Sequence, residues 1–256
     1  MEKFQFDYEQ YKKKINHSKP FYFTIIFFII IILLSLCIFI PQNRIEYDEY
    51  YFVEIDNFET YTKAKNTASQ LQENDAAGYI FLDNTYHVFA SFYSKKSDAK
   101  KVANNLKNDY KNCSVFSLNI SPFKDKKDLS KKQNSSIKNL LKSTRKIIYL
   151  LEQVSLDKAF ADTIPNVHKN KILIAKEELD SAKSDFKNSF SNNSKFNLVY
   201  DCVDNIQTSV LQCLNNSTIS AAFFRFYLCD IVINMHQIVE YFWLLFSFHF
   251  DKLPNS

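Results

Sequence analysis

Two alternating runs of apolar and polar residues, each followed by a helical run, lie between Tyr50 and Leu118. A second short apolar segment follows each helical run, so strand, helix and strand occur twice in succession. In chain order the segments are 50–55, a helical run to 71, 78–82, 86–91, a helical run to 106, and 115–118. This pattern predicts a small α+β sheet domain at residues 45–120.

Alternation along the predicted strands assigns their side chains to two faces of the sheet. Val53, Ile55 and Val88 fall on the face that the narrow Ala and Leu stripes of the two helices can cover. The other face is aromatic with two polar groups, and its members are Phe52, Glu54, Tyr79, Phe81, His87 and Phe89. Such a face suits stacking against sugar rings. Alternatively, the linker or the C-terminal helices cover it, because large exposed apolar patches are uncommon.

Gly78 is the only glycine in the chain and stands at the entry to the second predicted strand. A position that needs a positive φ or a close approach of another backbone explains a glycine there.

An uncharged apolar run, Phe21–Ile40, precedes this domain between Pro20 and Pro41. Its twenty residues would span about 30 Å as a helix, which is the thickness of a bilayer's hydrocarbon core. We therefore predict one transmembrane helix at residues 20–41 after a tail at residues 1–19. The lysines of that tail favour a cytoplasmic N-terminus, with every later domain on the outer side of the cell membrane.

Residues 121–136 contain five lysines, and their polar composition predicts a solvated linker. Alternatively, the lysines form a basic patch that binds an anionic wall polymer or nucleic acid. Residues 137–251 show apolar positions at spacings of three and four, which predict an α-helical bundle. Its last segment, Thr218–Phe250, is apolar on nearly all sides but includes Arg225 and Asp230. A buried helix is favoured over a second membrane span, and contact of residues 241–250 with a membrane surface is the lesser alternative.

No arrangement of residues indicates an enzyme, a metal site or a cofactor. The five histidines lack metal-ligand spacings, and the scarcity of glycine argues against phosphate-binding loops. Cys202 and Cys213 read as small core residues, as does Cys229. The net charge of +4 gives no general argument for nucleic acid binding.

The doubled pattern resembles the SPOR domain, a sporulation-related repeat of bacterial envelope proteins. In that family Tyr-x-Val strands are followed by helices with an Ala-x-x-x-Ala-x-x-Leu pattern. The first half here runs from Phe52 to Phe58, and the second half from Tyr86 to Tyr93. Ala64, Ala68 and Leu71 follow the first half, and Ala99, Ala103 and Leu106 follow the second. The stretch is most similar to the clostridial variant with one N-terminal membrane anchor. Glu54 stands where the family usually has Gln, and Asp56 and Ser91 stand where it usually has Gly.

The resemblance implies a ferredoxin-like βαββαβ fold whose open face binds peptidoglycan glycan strands stripped of their stem peptides, at division or sporulation septa. We therefore expect a non-enzymatic glycan-binding protein that uses the six residues of the aromatic face. The alternative from another class is an envelope scaffold whose C-terminal helices dock a protein partner. A third interpretation, an RNA-binding sheet, lacks basic residues beside the aromatics and is disfavoured by Glu54.

Overall fold

The computed structural model describes residues 49–156, 164–191, 193–215 and 220–247. The chain divides into two compact units, residues 1–45 and residues 46–256, and all of the described residues belong to the second. The predicted tail at residues 1–19 and the predicted transmembrane helix at residues 20–41 lie outside the described residues.

A four-stranded antiparallel sheet carries two helices in the predicted strand–helix–strand order, which confirms the α+β class. The elements are β1 (Glu49–Phe58), α1 (Tyr61–Glu73), β2 (Tyr79–Asp83), β3 (Thr85–Tyr93), α2 (Lys96–Leu106) and β4 (Ser114–Asn119). The strand order is β2-β3-β1-β4, with β1 in the interior between β3 and β4. β1, β3 and β4 extend beyond both predicted bounds because backbone pairing continues past the alternating apolar positions, whereas β2 begins and ends one residue later than predicted.

The first face of the sheet packs against α1 and α2, as the alternation predicted. Val53, Ile55 and Val88 are buried there together with the alanines of both helices. Small helix residues allow the two helices to lie close to the strands, which makes a thin core. We call this the first face, and the opposite one the second face.

Gly78 has a φ of +57°, and a Cβ at this position would lie 2.3 Å from the carbonyl oxygen of Ala68. Both reasons given for a glycine here are therefore confirmed, because the turn needs a left-handed residue and the backbone of α1 leaves no room for a side chain.

Four further helices follow: α3 (Lys131–Leu156), α4 (Asn166–Ser189), α5 (Asn197–Asn215) and α6 (Ala221–Ser247). Consecutive helices run antiparallel, as shown by Gln133 donating to the Ser189 carbonyl at one end of α3 and by Lys146 pairing with Glu178 farther along. The predicted buried helix near the C-terminus is confirmed, since α6 contributes a fully buried run that includes Phe224, Cys229 and Ile231. In the described part of the chain, none of the helices is both long and apolar enough to cross a membrane.

The linker is shorter and more ordered than the sequence suggested, because α3 begins at Lys131. Ser130 and Gln133 form a reciprocal cap, each accepting a hydrogen bond from the other's backbone N–H. The buried Asn134 side chain accepts from the backbone N–H of Lys126 and donates to the Lys126 carbonyl oxygen. These bonds fix the linker against the start of the helix.

Candidate functional site

Strand alternation brings all six predicted site residues to the second face. Phe52 on β1 stacks against Phe89 on β3 with ring centroids 4.6 Å apart. Tyr79 and Phe81 on β2 pair in register with Phe89 and His87 on β3. The predicted grouping of these side chains is therefore confirmed.

The expectation that this face is open is wrong for Phe52 and Phe89, which are both 0% exposed. Their rings belong to the same apolar core as Leu140 on α3 and Ile231 on α6. The bundle helices carry broad apolar surfaces that need a partner, and the aromatic half of the sheet supplies one. These two rings therefore cannot contact a ligand in this structure.

Tyr79 is also engaged by the bundle. Its hydroxyl donates to Asp230 Oδ1 on α6 at 3.2 Å, and its ring lies 5.1 Å from that of Phe226. Burial, followed by the nearby Asp230 carboxylate, raises the pKa of the Tyr79 hydroxyl. Asp230 also accepts from the Ser209 hydroxyl at 2.6 Å, so it joins the sheet to two helices.

One end of the second face remains only partly covered. Its half-buried aromatic groups are Phe81, His87 and Phe116. The Phe116 ring lies 5.0 Å from the His87 ring and 6.1 Å from the Phe81 ring. We call these three side chains, with Glu54 and Ser114 beside them, the open end.

Sequence reasoning missed Phe116 and Ser114, although the signal was present. Phe116 lies two residues before Leu118 on β4, so alternation along this strand places both on one face. β4 pairs with the interior strand β1, where Phe52 is opposite Phe116 and Glu54 is opposite Ser114.

Glu54 and His87 form a tight polar pair at the open end. His87 Nδ1 lies 2.6 Å from Glu54 Oε1, and the Ser114 hydroxyl donates to Glu54 Oε2 at 3.0 Å. The Thr85 hydroxyl lies 3.3 Å from His87 Nε2. The side chains of His87 and Glu54 are 13% and 10% exposed. A neutral imidazole that donates Nδ1–H to Glu54 leaves Nε2 to accept from Thr85 or from a ligand hydroxyl.

Within the described ranges, no three His, Cys, Asp or Glu side chains come together as a metal site. The four described cysteines are buried free thiols. Burial raises the pKa of Cys202 to about 11 and that of Cys213 to about 12. These thiols lack the thiolate character that nucleophilic chemistry requires.

The open end combines ring surface for stacking with groups that form hydrogen bonds. Aromatic ring faces are partly accessible, a fixed carboxylate keeps further lone pairs for accepting, and an imidazole nitrogen and two hydroxyls lie beside them. No family model, curated protein or solved structure matches the chain.

Proposed function

We propose that the chain is a non-enzymatic, membrane-anchored envelope protein that binds denuded peptidoglycan glycan strands through the open end. The observation that carries the proposal is the partly accessible ring surface of Phe81 and Phe116 beside the Glu54–His87 pair. Sugars present apolar ring faces edged by hydroxyls, and this combination of rings and polar groups complements them.

The contact area limits what can be bound. With Phe52, Phe89 and Tyr79 covered by helices, the open end offers stacking surface for one or two sugar residues rather than a long strand. The polar groups are oriented by contacts within the sheet, so little ordering is needed on binding. We therefore expect weak binding by each domain, made effective by confinement at the membrane.

The SPOR resemblance supports the same ligand class, with the contact restricted to one end of the sheet. The predicted anchor, with its cytoplasmic N-terminus, would place the sheet on the outer side of the membrane, where glycan strands occur. The six-residue site proposed from the sequence is thereby reduced to Phe81, His87 and Glu54, with Phe116 and Ser114 added.

The first prediction concerns the two accessible rings. In residues 46–256, the double change Phe81→Ala and Phe116→Ala should weaken co-sedimentation with amidase-treated sacculi about tenfold, from the loss of about 1.4 kcal/mol of stacking. Untreated sacculi, whose glycan still carries stem peptides, should retain little protein in either case.

The matched control is Leu82→Ala, which removes an apolar side chain from the same hairpin at a position that is 60% exposed. It should leave sedimentation unchanged. Equal binding of the parent chain to treated and untreated sacculi would rule out recognition of denuded glycan, and an unaltered double variant would rule out this site.

A scaffold function is the second candidate, and the burial of Phe52 and Phe89 favours it, because the sheet then acts as a platform for the bundle. Val167 and Ile174 lie two turns apart on α4, and both are more than half exposed, as a docking stripe would be. Septal position of a fluorescent fusion distinguishes the two functions. Glycan binding predicts its loss in the Phe81/Phe116 variant, whereas a scaffold predicts its loss in Val167→Lys with Ile174→Lys.

A further inference from the structure

Several chain segments meet at one end of the helical bundle, which we call the basal end. Phe123 of the linker lies 5.9 Å from Phe242 near the end of α6. Tyr241 donates to the carbonyl of Lys195, which lies in the short turn before α5. Gln133 joins the start of α3 to the end of α4. The basal end is thus formed by the linker, the start of α3, the end of α4, the turn before α5 and the end of α6.

Positive charge is concentrated at this end. Residues 124–132 contain five lysines and two aspartates, in a chain whose net charge is only +4. One of those aspartates, Asp125, pairs with Lys138 at 2.7 Å. Lys131 and Lys132 lie in the first turn of α3, where a cation opposes the helix dipole. Both are exposed, as are Lys124 and Lys127, so folding does not account for their position.

Large apolar side chains are exposed at the same end of the bundle. Trp243 is 61% exposed and Leu244 46% exposed, on the helical turn that carries Phe242. Leu198, two residues after the Phe196 ring that faces Phe242, is also exposed. Leaving such side chains in water forgoes the stabilisation that burying them would give. Trp and Leu together with Lys are typical of surfaces that lie in a membrane interface.

We propose that the basal end binds the surface of an anionic lipid bilayer, with Trp243 and Leu244 inserted among the headgroups and the linker lysines against lipid phosphates. Each lysine near an anionic surface adds attraction to the lipid headgroups, and insertion of the apolar side chains adds to this. The predicted membrane span ends at Pro41, eight residues before β1, and that tether extends at most about 28 Å. The sequence thus favours lipid as the polyanion near this surface. The inference does not depend on glycan binding.

Trp243 is the only tryptophan in the chain, so its fluorescence reports on this surface alone. The full chain is reconstituted into vesicles of phosphatidylcholine, with or without phosphatidylglycerol. Trp243 emission and its quenching by lipids brominated on the acyl chain are then measured. We expect a blue shift and several-fold stronger quenching in the anionic vesicles. Concentrated salt should reverse both, because it shortens the Debye length to about 3 Å at 1 M.

Charge reversal supplies the decisive comparison. Lys124→Glu, Lys127→Glu, Lys131→Glu and Lys132→Glu together should abolish the excess quenching in anionic vesicles. The control carries the same charge change on the far side of the sheet domain, as Lys100→Glu, Lys101→Glu, Lys107→Glu and Lys111→Glu, and should behave like the parent chain. Leu244→Ser should reduce the quenching while leaving the melting temperature unchanged.

Two results would overturn the proposal. One is equal Trp243 quenching in neutral and anionic vesicles. The other is an unshifted Trp243 spectrum with anionic lipid but a shifted one with isolated anionic wall polymer, which would make the partner a polymer.

Discussion

At the scale of single residues, the burial of the Glu152 carboxyl is only partly compensated by hydrogen bonds. Its Oε1 accepts from the Ser94 backbone N–H at 2.7 Å, while its Oε2 has no partner among the described residues. Burial raises the pKa of this carboxyl, and the Ser94 N–H opposes the effect only in part. Glu152 thus places a buried carboxyl group between α3 and the end of β3, at the junction of bundle and sheet.

The raised pKa of Glu152 determines whether folding stability rises or falls with pH. Between the ordinary carboxyl pKa, about 4.3, and the raised value, the folded chain holds a proton that the unfolded chain has lost. Stability therefore falls as pH rises through this window, and the loss persists above it. Glu152→Gln keeps an acceptor for Ser94 and removes the charge. We expect it to raise the unfolding free energy at pH 7 by roughly 1 kcal/mol.

Urea denaturation at pH 7 and near pH 4 tests this prediction. The advantage of Glu152→Gln should narrow near pH 4, which lies below the raised pKa of the folded state and slightly below the ordinary pKa of about 4.3. Glu73→Gln, at an exposed position on α1, is the control and should change stability at neither pH. A variant less stable than the parent at pH 7 would show that the carboxylate is stabilising.

At the scale of elements, three polar pairs set the register between α5 and α6. Ser209 contacts Asp230 at 2.6 Å, Asn205 contacts Asn234 at 3.2 Å, and Cys202 contacts Gln237 at 3.4 Å. From pair to pair, the residue number falls by four and then three on α5 and rises by four and then three on α6, as expected for antiparallel helices. Polar pairs at a largely apolar interface disfavour sliding of one helix along the other, since a shift would leave buried groups unpaired.

Asp230 connects this register to the sheet through Tyr79. Asp230→Ala would leave the Tyr79 hydroxyl without its acceptor in a buried setting, which should lower the unfolding free energy by about 1–3 kcal/mol. Adding Tyr79→Phe removes the orphaned hydroxyl and should recover part of that loss. Denaturant melts of the single and double variants measure the coupling, with Asp201→Ala on the exposed side of α5 as control. If the losses of unfolding free energy in the two single variants simply added up in the double variant, Asp230 and Tyr79 would not be energetically coupled.

The elements were largely predictable from the sequence, because each depends on local patterns. Alternation gave the strands, the Ala and Leu stripes gave α1 and α2, and Gly78 marked the tight entry to β2. The sequence predicted a later start for α3, because Lys131 and Lys132 resemble the preceding linker residues. What starts the helix is the Ser130–Gln133 cap, a pattern of only two side chains.

At the scale of the whole molecule, the sequence could not decide what covers the second face. Phe52 on β1 and Phe81 on β2 are the same residue type on the same face of the sheet, with β3 between their strands, yet Phe52 is buried and Phe81 is partly accessible. The difference arises from where α3 and α6 lie across the sheet, which depends on contacts between residues more than 100 positions apart, such as Tyr79 with Asp230. No local pattern records such a contact, so the sequence alone could not show which aromatic rings of the second face are covered.

Sheet and bundle share one apolar core, and this predicts that they unfold together. Phe89 is fully buried between them, so Phe89→Ala should lower stability by about 3–5 kcal/mol. The loss should appear equally by far-UV circular dichroism and by Trp243 fluorescence, although Trp243 lies at the basal end. Val53→Ala, in the separate core of the first face, should likewise shift both signals together. If a variant showed two circular dichroism transitions while the midpoint of the Trp243 transition did not change, sheet and bundle would instead be independent domains. In that case the bundle could leave the sheet and expose Phe52 and Phe89, whereas a single transition confines the proposed glycan contact to the open end.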